Sequence, residues 1–390
     1  MTGRRLSTVA AAAGLSALLC AGAAAPAYAK SPSPTWESRA LKLKDAHKKA
    51  QGEGVKVALI DSGVADHPAL DGKVTTGPNL LQDGVHKGDA KFGVHGTAMA
   101  SNILQAAPKA HILSIRVIDD DPSNDSDLRN ATDNPMARAI QYAVDQDVDV
   151  ISLSIGGDTM GDTFDEKDTA ALAVASGANV PVVAASGNEA DELNDTSYPA
   201  AYPSALAVAA FKKGGAHADF SNVHTYNAIS APGVGITSAS NTGGWEKIQG
   251  TSPATALTSG VVACMLSAAP EHRLSPGQVR TILTRTAHHP PGGFNPVFGY
   301  GRIDAAAAVR AAAQPPREET KSRAHKGAAH LAKPDGIEPT QHPAWDVATL
   351  TVGLLASAAG GGMVAGAVLI ARRARRTDGP ATGASPGQPF

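Results

Sequence analysis

Residues 250–256, Gly-Thr-Ser-Pro-Ala-Thr-Ala, place a serine at the predicted start of a long apolar helix. A helix N-terminus carries partial positive charge and unpaired N–H groups, so an oxyanion formed beside Ser252 could be stabilised there. Pro253 suits the first helical position, where its missing N–H is not needed. Serine is also a common N-cap of ordinary core helices. The stretch alone therefore leaves both a nucleophilic and a purely structural role open for Ser252.

Three polar residues upstream stand at the predicted ends of strands or helices. Asp61 closes the apolar run 55–60 within Asp-Ser-Gly, which by itself is also an ordinary turn sequence. His95, in Gly-Val-His-Gly-Thr, comes at or near a helix start, although a lone histidine is more often structural. Asn188 follows the predicted strand 180–185. Its amide can donate to a developing oxyanion, although asparagine is also common in turns.

These residues are set in a chain whose predicted strands and helices alternate. Such alternation is typical of an α/β fold with a parallel sheet covered by helices on both faces. Folds of this kind place function at the carboxyl ends of their strands, where the four polar residues are expected to meet. The strands are predicted at 55–60, 111–118, 148–155, 180–185 and 205–211. The main helices are predicted at 40–50, 135–144, 165–176, 252–268, 274–284 and 305–313.

The composition narrows the class of protein. The 390 residues carry a formal net charge of −2, which argues against a nucleic-acid-binding protein. Aromatic residues make up only 4% while glycines number 40, which suits closely packed α/β layers better than a β-sandwich. The loop 119–127 holds five aspartates and could bind Ca²⁺, but it lacks a recognisable ligand spacing. It is interpreted as a solvated loop, and no metal or cofactor is predicted.

Residues 1–29 have the features of an export signal. Two arginines precede an apolar, alanine-rich stretch, and residues 27–29 form the small-x-small sequence Ala-Tyr-Ala. The mature chain is therefore expected to begin near Lys30. The alternatives are an uncleaved anchor and, less favoured, a lipoprotein attached through Cys20. Cleavage would leave Cys264 as the one cysteine, predicted to be a small core residue, so no internal disulfide is expected.

Taken together, these motifs resemble those of the subtilisin-like serine proteases, in which Asp, His and Ser follow one another in that order. The resemblance covers residues 36–313 and is highly specific, because all the motifs occur in order at that family's separations. It implies a subtilisin-like doubly wound sheet for a domain at residues 30–313. The matching blocks are residues 57–63, 95–97, 154–157, 185–188 and 250–252, with shorter matches at 107–108, 220–222, 231–233 and 299–301.

The resemblance also implies a role for each polar residue. Ser252 is expected to be the nucleophile, and His95 to take its proton and pass it to the leaving amine. Asp61 is expected to orient His95 and to stabilise its imidazolium form. Asn188 and the backbone N–H of Ser252 are expected to form the oxyanion hole. The expected activity is that of a serine endopeptidase.

Substrate binding is expected on a short segment that matches the family's edge strand, on which a peptide lies by β-pairing. That segment consists of Ser154, Ile155 and Gly156. Two nearby positions depart from the family pattern, since Pro253 stands where Met is more common and Ala256 where Pro is usual. Neither position carries chemistry, and the expected substrate remains a polypeptide.

Beyond residue 313 the composition changes. Residues 314–346 are rich in Pro, Lys, Arg, Glu and His without an apolar period, as in a flexible linker. Residues 347–371 carry no charge and are long enough to span a bilayer as one helix. Arginines at the start of the tail 372–390 place that tail in the cytoplasm by the positive-inside rule. The sequence therefore predicts a single-pass protein of the cell membrane with its catalytic domain outside.

Signal, protease domain, linker, membrane helix and basic tail together resemble the mycosins, which are membrane-anchored subtilisin-like proteases of type VII secretion. The resemblance implies a membrane-anchored extracellular endopeptidase that is associated with a type VII secretion complex. Two alternatives stay open. The domain could act as a scaffold that stabilises a secretion complex with incidental proteolysis, or the chain could be a general surface protease.

Overall fold

The computed structural model describes residues 34–120, 134–156, 165–269 and 274–316, together with five isolated residues between 351 and 363. The predicted signal segment, almost all of the linker, the tail and residues 121–127 of the aspartate-rich loop lie outside this part. So does the predicted membrane helix, apart from the five isolated residues. Among the residues that are described, no helix combines the length and apolarity needed to cross a membrane.

Seven strands of the described ranges form one parallel sheet, and two more form an antiparallel hairpin, β8 and β9. Along the sheet the order is β2-β3-β1-β4-β5-β6-β7, so β1, β4 and β5 are neighbours at its centre. The strands are β1 Lys56–Asp61, β2 Val74–Asn79, β3 His111–Arg116, β4 Val150–Leu153, β5 Val182–Ala185, β6 Ala205–Phe211, β7 Asn227–Pro232, β8 Val234–Ala239 and β9 Trp245–Gln249.

Helices cover both faces of this sheet, as the alternating pattern predicted. They are α1 Trp36–Ala40, α2 Leu43–Ala46, α3 Val94–Ala106, α4 Pro135–Asp145, α5 Glu166–Gly177, α6 Thr251–Ala268, α7 Pro276–Thr286 and α8 Ala305–Ala312. Two buried clusters separate the layers. Val57 and Leu59 of β1 belong to the cluster beneath α3 and α6, and Ala58 and Ile60 to the one beneath α4 and α5. Successive side chains of a strand point to opposite faces, so β1 needs an unbroken apolar run.

Helix α6 runs through the core, which confirms the prediction for residues 252–268. Of its first fifteen residues, 251–265, every one is buried except Ser252. Cys264 lies among them, as predicted for a small core residue. A helix that is apolar on all sides is stable in a soluble domain only when other layers surround it. The buried body of α6 therefore fixes the position of its one accessible N-terminal side chain.

Some elements differ from the sequence predictions. Of the helix predicted at 40–50, only the short helix α2 Leu43–Ala46 forms; α1 ends at Ala40, and Lys42, in a left-handed conformation with φ of 57°, separates the two. The Lys42 ammonium lies 2.6 Å from Asp304 Oδ2, which ties this N-terminal segment to the start of α8. Strands β2 and β7 and the hairpin were not predicted. β2, for example, is half-exposed at the sheet edge and contains both Gly77 and Pro78.

Candidate active site

The three central strands and two helix N-termini carry all the predicted catalytic groups. Asp61 is the last residue of β1, and Asn188 stands three residues beyond β5. Ser154 directly follows β4, which lies between those two strands. His95 and Ser252 are the second residues of α3 and α6. Parallel strands end at one edge of the sheet, so these positions share the edge where such folds bind ligands.

Asp61 and His95 are joined by a hydrogen bond. His95 Nδ1 lies 2.8 Å from Asp61 Oδ1, which also accepts from the Ser62 N–H at 2.7 Å. A carboxylate only accepts, so the hydrogen of this pair belongs to Nδ1 and leaves His95 Nε2 free to accept a proton. Asp61 is fully buried, whereas 32% of the His95 side chain is exposed. The geometry is that of a histidine base whose tautomer is held by a buried carboxylate.

Gly96 allows this close approach of α3 to the end of β1. A Cβ at residue 96 would overlap the carbonyl oxygen of Gly63 and would come within 3.2 Å of Asp61 Oδ1. Any side chain here would push α3 away from Asp61 and lengthen its hydrogen bond to His95. The glycine of the His-Gly-Thr motif is therefore required by packing between two segments that are distant in sequence.

The first three N–H groups of α3 are capped from outside the helix. The Asp120 carboxylate accepts from the N–H of Val94 at 2.7 Å and from that of His95 at 3.1 Å. The Gly96 N–H donates to Ser62 Oγ at 3.0 Å. The N-cap residue itself, Gly93, has no side chain to do this. Asp120, within the loop interpreted above as solvated, therefore supplies a cap that the local sequence of α3 lacks.

The electrostatic surroundings of His95 favour its charged form. Burial lowers the pKa of His95, but the charge and hydrogen bond of Asp61 and the charge of Asp120 outweigh it and raise the pKa above its usual value. Burial and the nearby Asp61 charge likewise raise the pKa of Asp120, against the hydrogen bonds that it accepts. Two carboxylates thus act on one imidazole, Asp61 by contact with the ring and Asp120 through its charge.

Ser252 is paired with Ser154 in this structure. The Ser252 hydroxyl donates to the Ser154 carbonyl oxygen at 3.2 Å, and the Ser154 hydroxyl donates to the Ser252 carbonyl oxygen at 3.1 Å. Between the described atoms of Ser252 and His95 there is no hydrogen bond. Catalytic hydrogen bonds are often long before substrate binds, and a hydroxyl can rotate about its Cα–Cβ bond. The structure therefore places Ser252 at the same edge as His95, with its hydroxyl on the Ser154 carbonyl just beyond β4.

Asn188 is oriented by the N-terminus of α6. Its Oδ1 accepts from the Thr251 N–H at 2.8 Å and from the Thr251 hydroxyl at 3.0 Å. Because the amide oxygen is held by these two donors, the Asn188 NH₂ group points the other way and can donate to a ligand. Gly250, with φ of 145°, occupies a conformation that other residues rarely adopt and brings the chain round to this contact.

Two residues that the sequence motifs did not assign hold the Asn188 loop. The fully buried Asn222 accepts from the Glu189 N–H at 2.7 Å, and its amide donates to Glu189 Oε2 at 2.9 Å. The Tyr226 hydroxyl donates to the Ser186 carbonyl at 3.2 Å. Asn222 lies in one of the shorter family matches, 220–222, which was the one sequence signal for it. These contacts give Asn188 a fixed backbone.

A buried arginine supports the Asp61 loop in the same way. Arg116, at the end of β3, is 1% exposed and donates to the Ser62 carbonyl at 2.9 Å. It also forms an ion pair with Asp83 at 2.5 Å. Burial raises the pKa of Asp83, but hydrogen bonds from Asn79 and Arg116 outweigh it and lower the pKa. No sequence motif marked Arg116, because its partners come from other loops.

The predicted substrate segment continues beyond the paired part of β4. Leu153 is the last residue of β4 that pairs with β5, and Ser154, Ile155 and Gly156 extend past it. The prediction of a strand to residue 155 was therefore two residues too long. Ser154 is buried, Ile155 half-buried and Gly156 exposed, so the segment emerges gradually from the sheet. Backbone groups beyond the end of a paired strand are available to an added peptide strand.

Comparison with known proteins gives consistent matches. The sequence profile of the subtilase family matches residues 52–301. Thermitase of Thermoactinomyces vulgaris is 33% identical over 270 residues, which cover 67% of this chain and 90% of thermitase. Subtilisin NAT of Bacillus subtilis subsp. natto is 34% identical over 277 residues, which cover 67% of this chain and 66% of subtilisin NAT. A solved structure titled as the MycP3 protease from the type VII (ESX-3) secretion system is 28% identical, with a TM-score of 0.61. The structural match covers 70% of this chain and 88% of the MycP3 chain.

Proposed function

The chain belongs to the subtilase family and is a serine endopeptidase, and from this premise we propose that it cleaves polypeptides outside the cell while tethered to the membrane. The observation that carries the catalytic part is the hydrogen bond between Asp61 Oδ1 and His95 Nδ1. It orients an imidazole whose other nitrogen is free, at the sheet edge that also holds Ser252 and Asn188.

In the proposed reaction, Ser252 Oγ attacks the scissile carbonyl carbon while His95 Nε2 takes the proton of the Ser252 hydroxyl. The resulting imidazolium is stabilised by Asp61, which stays ionised. His95 then protonates the leaving amine, and the acyl group remains on Ser252 until water, activated by His95, hydrolyses the ester. The Ser252 hydroxyl must first leave the Ser154 carbonyl oxygen, a rotation that a bound substrate on residues 154–156 would favour.

The carbonyl oxygen becomes negatively charged in this attack, and two donors are proposed to stabilise it. One is the Ser252 N–H at the N-terminus of α6, where the helix dipole also favours negative charge. The other is the NH₂ group of Asn188, whose amide oxygen is fixed by the Thr251 N–H. Since both donors are held before substrate binds, they need no reorganisation when charge develops.

We expect Asn188→Ala to lower kcat by about 10² to 10³, the loss that removal of one such donor causes in a subtilisin. KM should change much less, because the donor acts mainly when the oxyanion forms. Steady-state kinetics with a chromogenic peptide measure both constants. Asn194→Ala is the control, since the Asn194 amide donates to the Val223 carbonyl whereas Asn188 is the residue that binds Thr251 of α6. Equal losses in the two variants would contradict the assignment.

The location is proposed from the sequence segments outside the described residues. Cleavage after residue 29 would release a mature domain 30–313 on the outer side of the membrane. The linker 314–346 would connect it to a membrane helix at 347–371, with the tail 372–390 in the cytoplasm. The last continuous stretch of described residues ends at Pro316, whose carbonyl accepts from the Gln278 amide of α7 at 2.9 Å. This contact would hold the first residues of the proposed linker against the domain.

We expect a chain that stops at residue 341 to be exported and recovered from the medium. The full chain should stay in the membrane fraction, because it retains the apolar stretch 347–371, which the shorter chain lacks. Immunoblots of medium and membrane after ultracentrifugation distinguish the two locations. A chain that stops at residue 376 retains the apolar stretch with its flanking arginines and serves as the control. Membrane recovery of the shorter chain would argue against this anchor.

We further propose an association with type VII secretion, supported by the resemblance to mycosins and by the fold shared with the MycP3 protease. Genes for a secretion machine beside this gene would support it. A scaffold role within such a complex is the alternative, and a variant that lacks the nucleophile separates it from proteolysis.

A further inference from the structure

We propose that Asp120 is a positioning residue for His95, which fixes the first turn of α3 and places a second negative charge beside the imidazole. This inference rests on the proposed function of His95 as general base. It adds to the three-residue catalytic group a fourth side chain that acts on the base and does not touch the substrate.

The contacts of Asp120 carry the first half of the inference. Its two carboxylate oxygens bind different groups, with Oδ2 on the Val94 N–H at 2.7 Å and Oδ1 on the His95 N–H at 3.1 Å. The residue bound by Oδ1 is therefore the predicted base itself. The cap comes from 25 residues away in the chain, at the exit of β3. It ties the start of α3 to the strand that neighbours β1, the strand that ends in Asp61.

The charges around His95 carry the second half. Asp61 binds the imidazole from the end of β1, and Asp120, bound to the His95 N–H from the loop after β3, acts on the ring through its charge. Helices α3 and α6 carry no other charged residue, and Lys91, on the segment before α3, is exposed. Asp61 and Asp120 also interact with each other and with Ser62. A carboxylate next to an imidazole favours the charged imidazolium, which is the form that His95 takes after it accepts the Ser252 proton.

The balance of these effects decides what Asp120 does for the reaction. His95 must be neutral to accept a proton, so a charge that favours imidazolium reduces the active fraction at low pH. The same charge stabilises the imidazolium once attack begins. Asp120 therefore raises the pH at which the enzyme becomes active and strengthens the base above that pH.

The test is the pH dependence of kcat/KM for the full chain in detergent, measured for Asp120→Asn. Asparagine keeps one acceptor oxygen for the first turn of α3, but its NH₂ group cannot accept from the second N–H, so this variant removes the charge together with one of the two capping hydrogen bonds. We expect the midpoint of the acidic limb of the kcat/KM profile to fall by about half a pH unit. Below that midpoint, the activity relative to the plateau should rise roughly threefold. Asp119→Asn, one residue earlier in the same loop, is the matched control and should leave the midpoint in place. Asp119 faces Arg116, at a distance of 4.0 Å.

Two outcomes would overturn the inference. One is an Asp120→Asn profile that superimposes on the wild-type profile, which would leave Asp120 as a helix cap only. The other is an equal shift in Asp119→Asn, which would make the effect a general property of the loop charge. Asp120→Ala removes both capping hydrogen bonds, and it should therefore lower the plateau of kcat in addition to shifting the midpoint.

A second readout separates this inference from the proposed function. The His95 pKa can be followed by NMR of histidine-labelled chain in the Ser252→Ala background, with His95→Gln to assign the signal. We expect Asp120→Asn to lower that pKa in the absence of any catalysis. If the wild-type chain hydrolyses no peptide but the pKa still falls, the placement of Asp120 holds and the catalytic proposal fails. If the enzyme is active but the pKa does not change, the catalytic proposal holds and the placement of Asp120 fails.

Discussion

Ser252→Ala is expected to lower kcat by about 10⁶, the loss found for the equivalent change in a subtilisin. The substitution removes the one oxygen that can form the acyl-enzyme. It deletes only a hydroxyl that donates to the Ser154 carbonyl at 3.2 Å, so the buried helix behind it should be undisturbed. Hydrolysis of a peptide substrate, together with thermal unfolding of the same preparation, measures activity and fold separately.

Ser259→Ala is the matched control for this variant. Ser259 lies on the same helix, and its hydroxyl donates to Ser152 Oγ at 2.9 Å within the core. It should keep most of the activity, although the lost buried hydrogen bond is expected to cost about 1–3 kcal/mol of stability. A serine-directed fluorophosphonate should label the wild type and Ser259→Ala but should not label Ser252→Ala. A wild-type chain that takes no label would contradict Ser252 as the nucleophile.

The same variant distinguishes protease from scaffold in cells. If the essential role is proteolysis, Ser252→Ala should reproduce the secretion or growth defect of a full gene deletion. If the variant restores secretion while hydrolysis is abolished, the scaffold role is the essential one. Equal amounts of the two proteins in the membrane fraction must be shown by immunoblot for the comparison to hold.

Asp61→Asn is expected to lower kcat by about 10⁴, the loss that this change causes in a related catalytic triad. Asp61 Oδ1 now accepts from both Ser62 N and His95 Nδ1. An asparagine that keeps its oxygen in this position still accepts from both donors, but it carries no charge to stabilise the imidazolium. An asparagine that presents its NH₂ group to His95 Nδ1 instead forces the ring hydrogen onto Nε2, which could then no longer accept the Ser252 proton.

The pH profile of this variant supplies a second measurement. The charge and hydrogen bond of Asp61 raise the pKa of His95, so their loss should lower it and move the acidic limb of kcat/KM to lower pH. Asp66→Asn is the control, because Asp66 is 86% exposed and pairs with Lys87. If Asp66→Asn lowers kcat as much as Asp61→Asn does, the orienting role of Asp61 is wrong.

The sequence by itself predicted the α/β layers and the types of the polar residues at their ends. The stretches predicted at 55–60 and 252–268 are too apolar to be exposed, and their lengths distinguish a buried strand from a buried helix. The motifs that follow such runs can then be placed at strand ends and helix starts, as found for Asp61, His95 and Ser252. Local periodicity and the order of motifs are properties of the chain itself, so these predictions needed no tertiary contacts.

Edge and irregular elements were less predictable for a physical reason. β2 is half-exposed and includes Gly77, where a Cβ added by substitution would lie 2.7 Å from the Ser114 carbonyl oxygen. Its sequence has neither the apolar run of a central strand nor a clean alternation. Pairing with β3 holds it in place, and that pairing exists only once the sheet has formed.

The contacts that make the site were decided by tertiary structure. Asp61 and His95 are 34 residues apart, His95 and Asp120 25, and Ser154 and Ser252 98. Each contact depends on the strand order, which brings β1, β3, β4 and β5 side by side, and on loops with no periodic pattern. Asp120 illustrates the limit, because five aspartates in one loop look alike in sequence. Only the folded position of α3, whose N-cap is a glycine without a side chain, selects one of them as its partner.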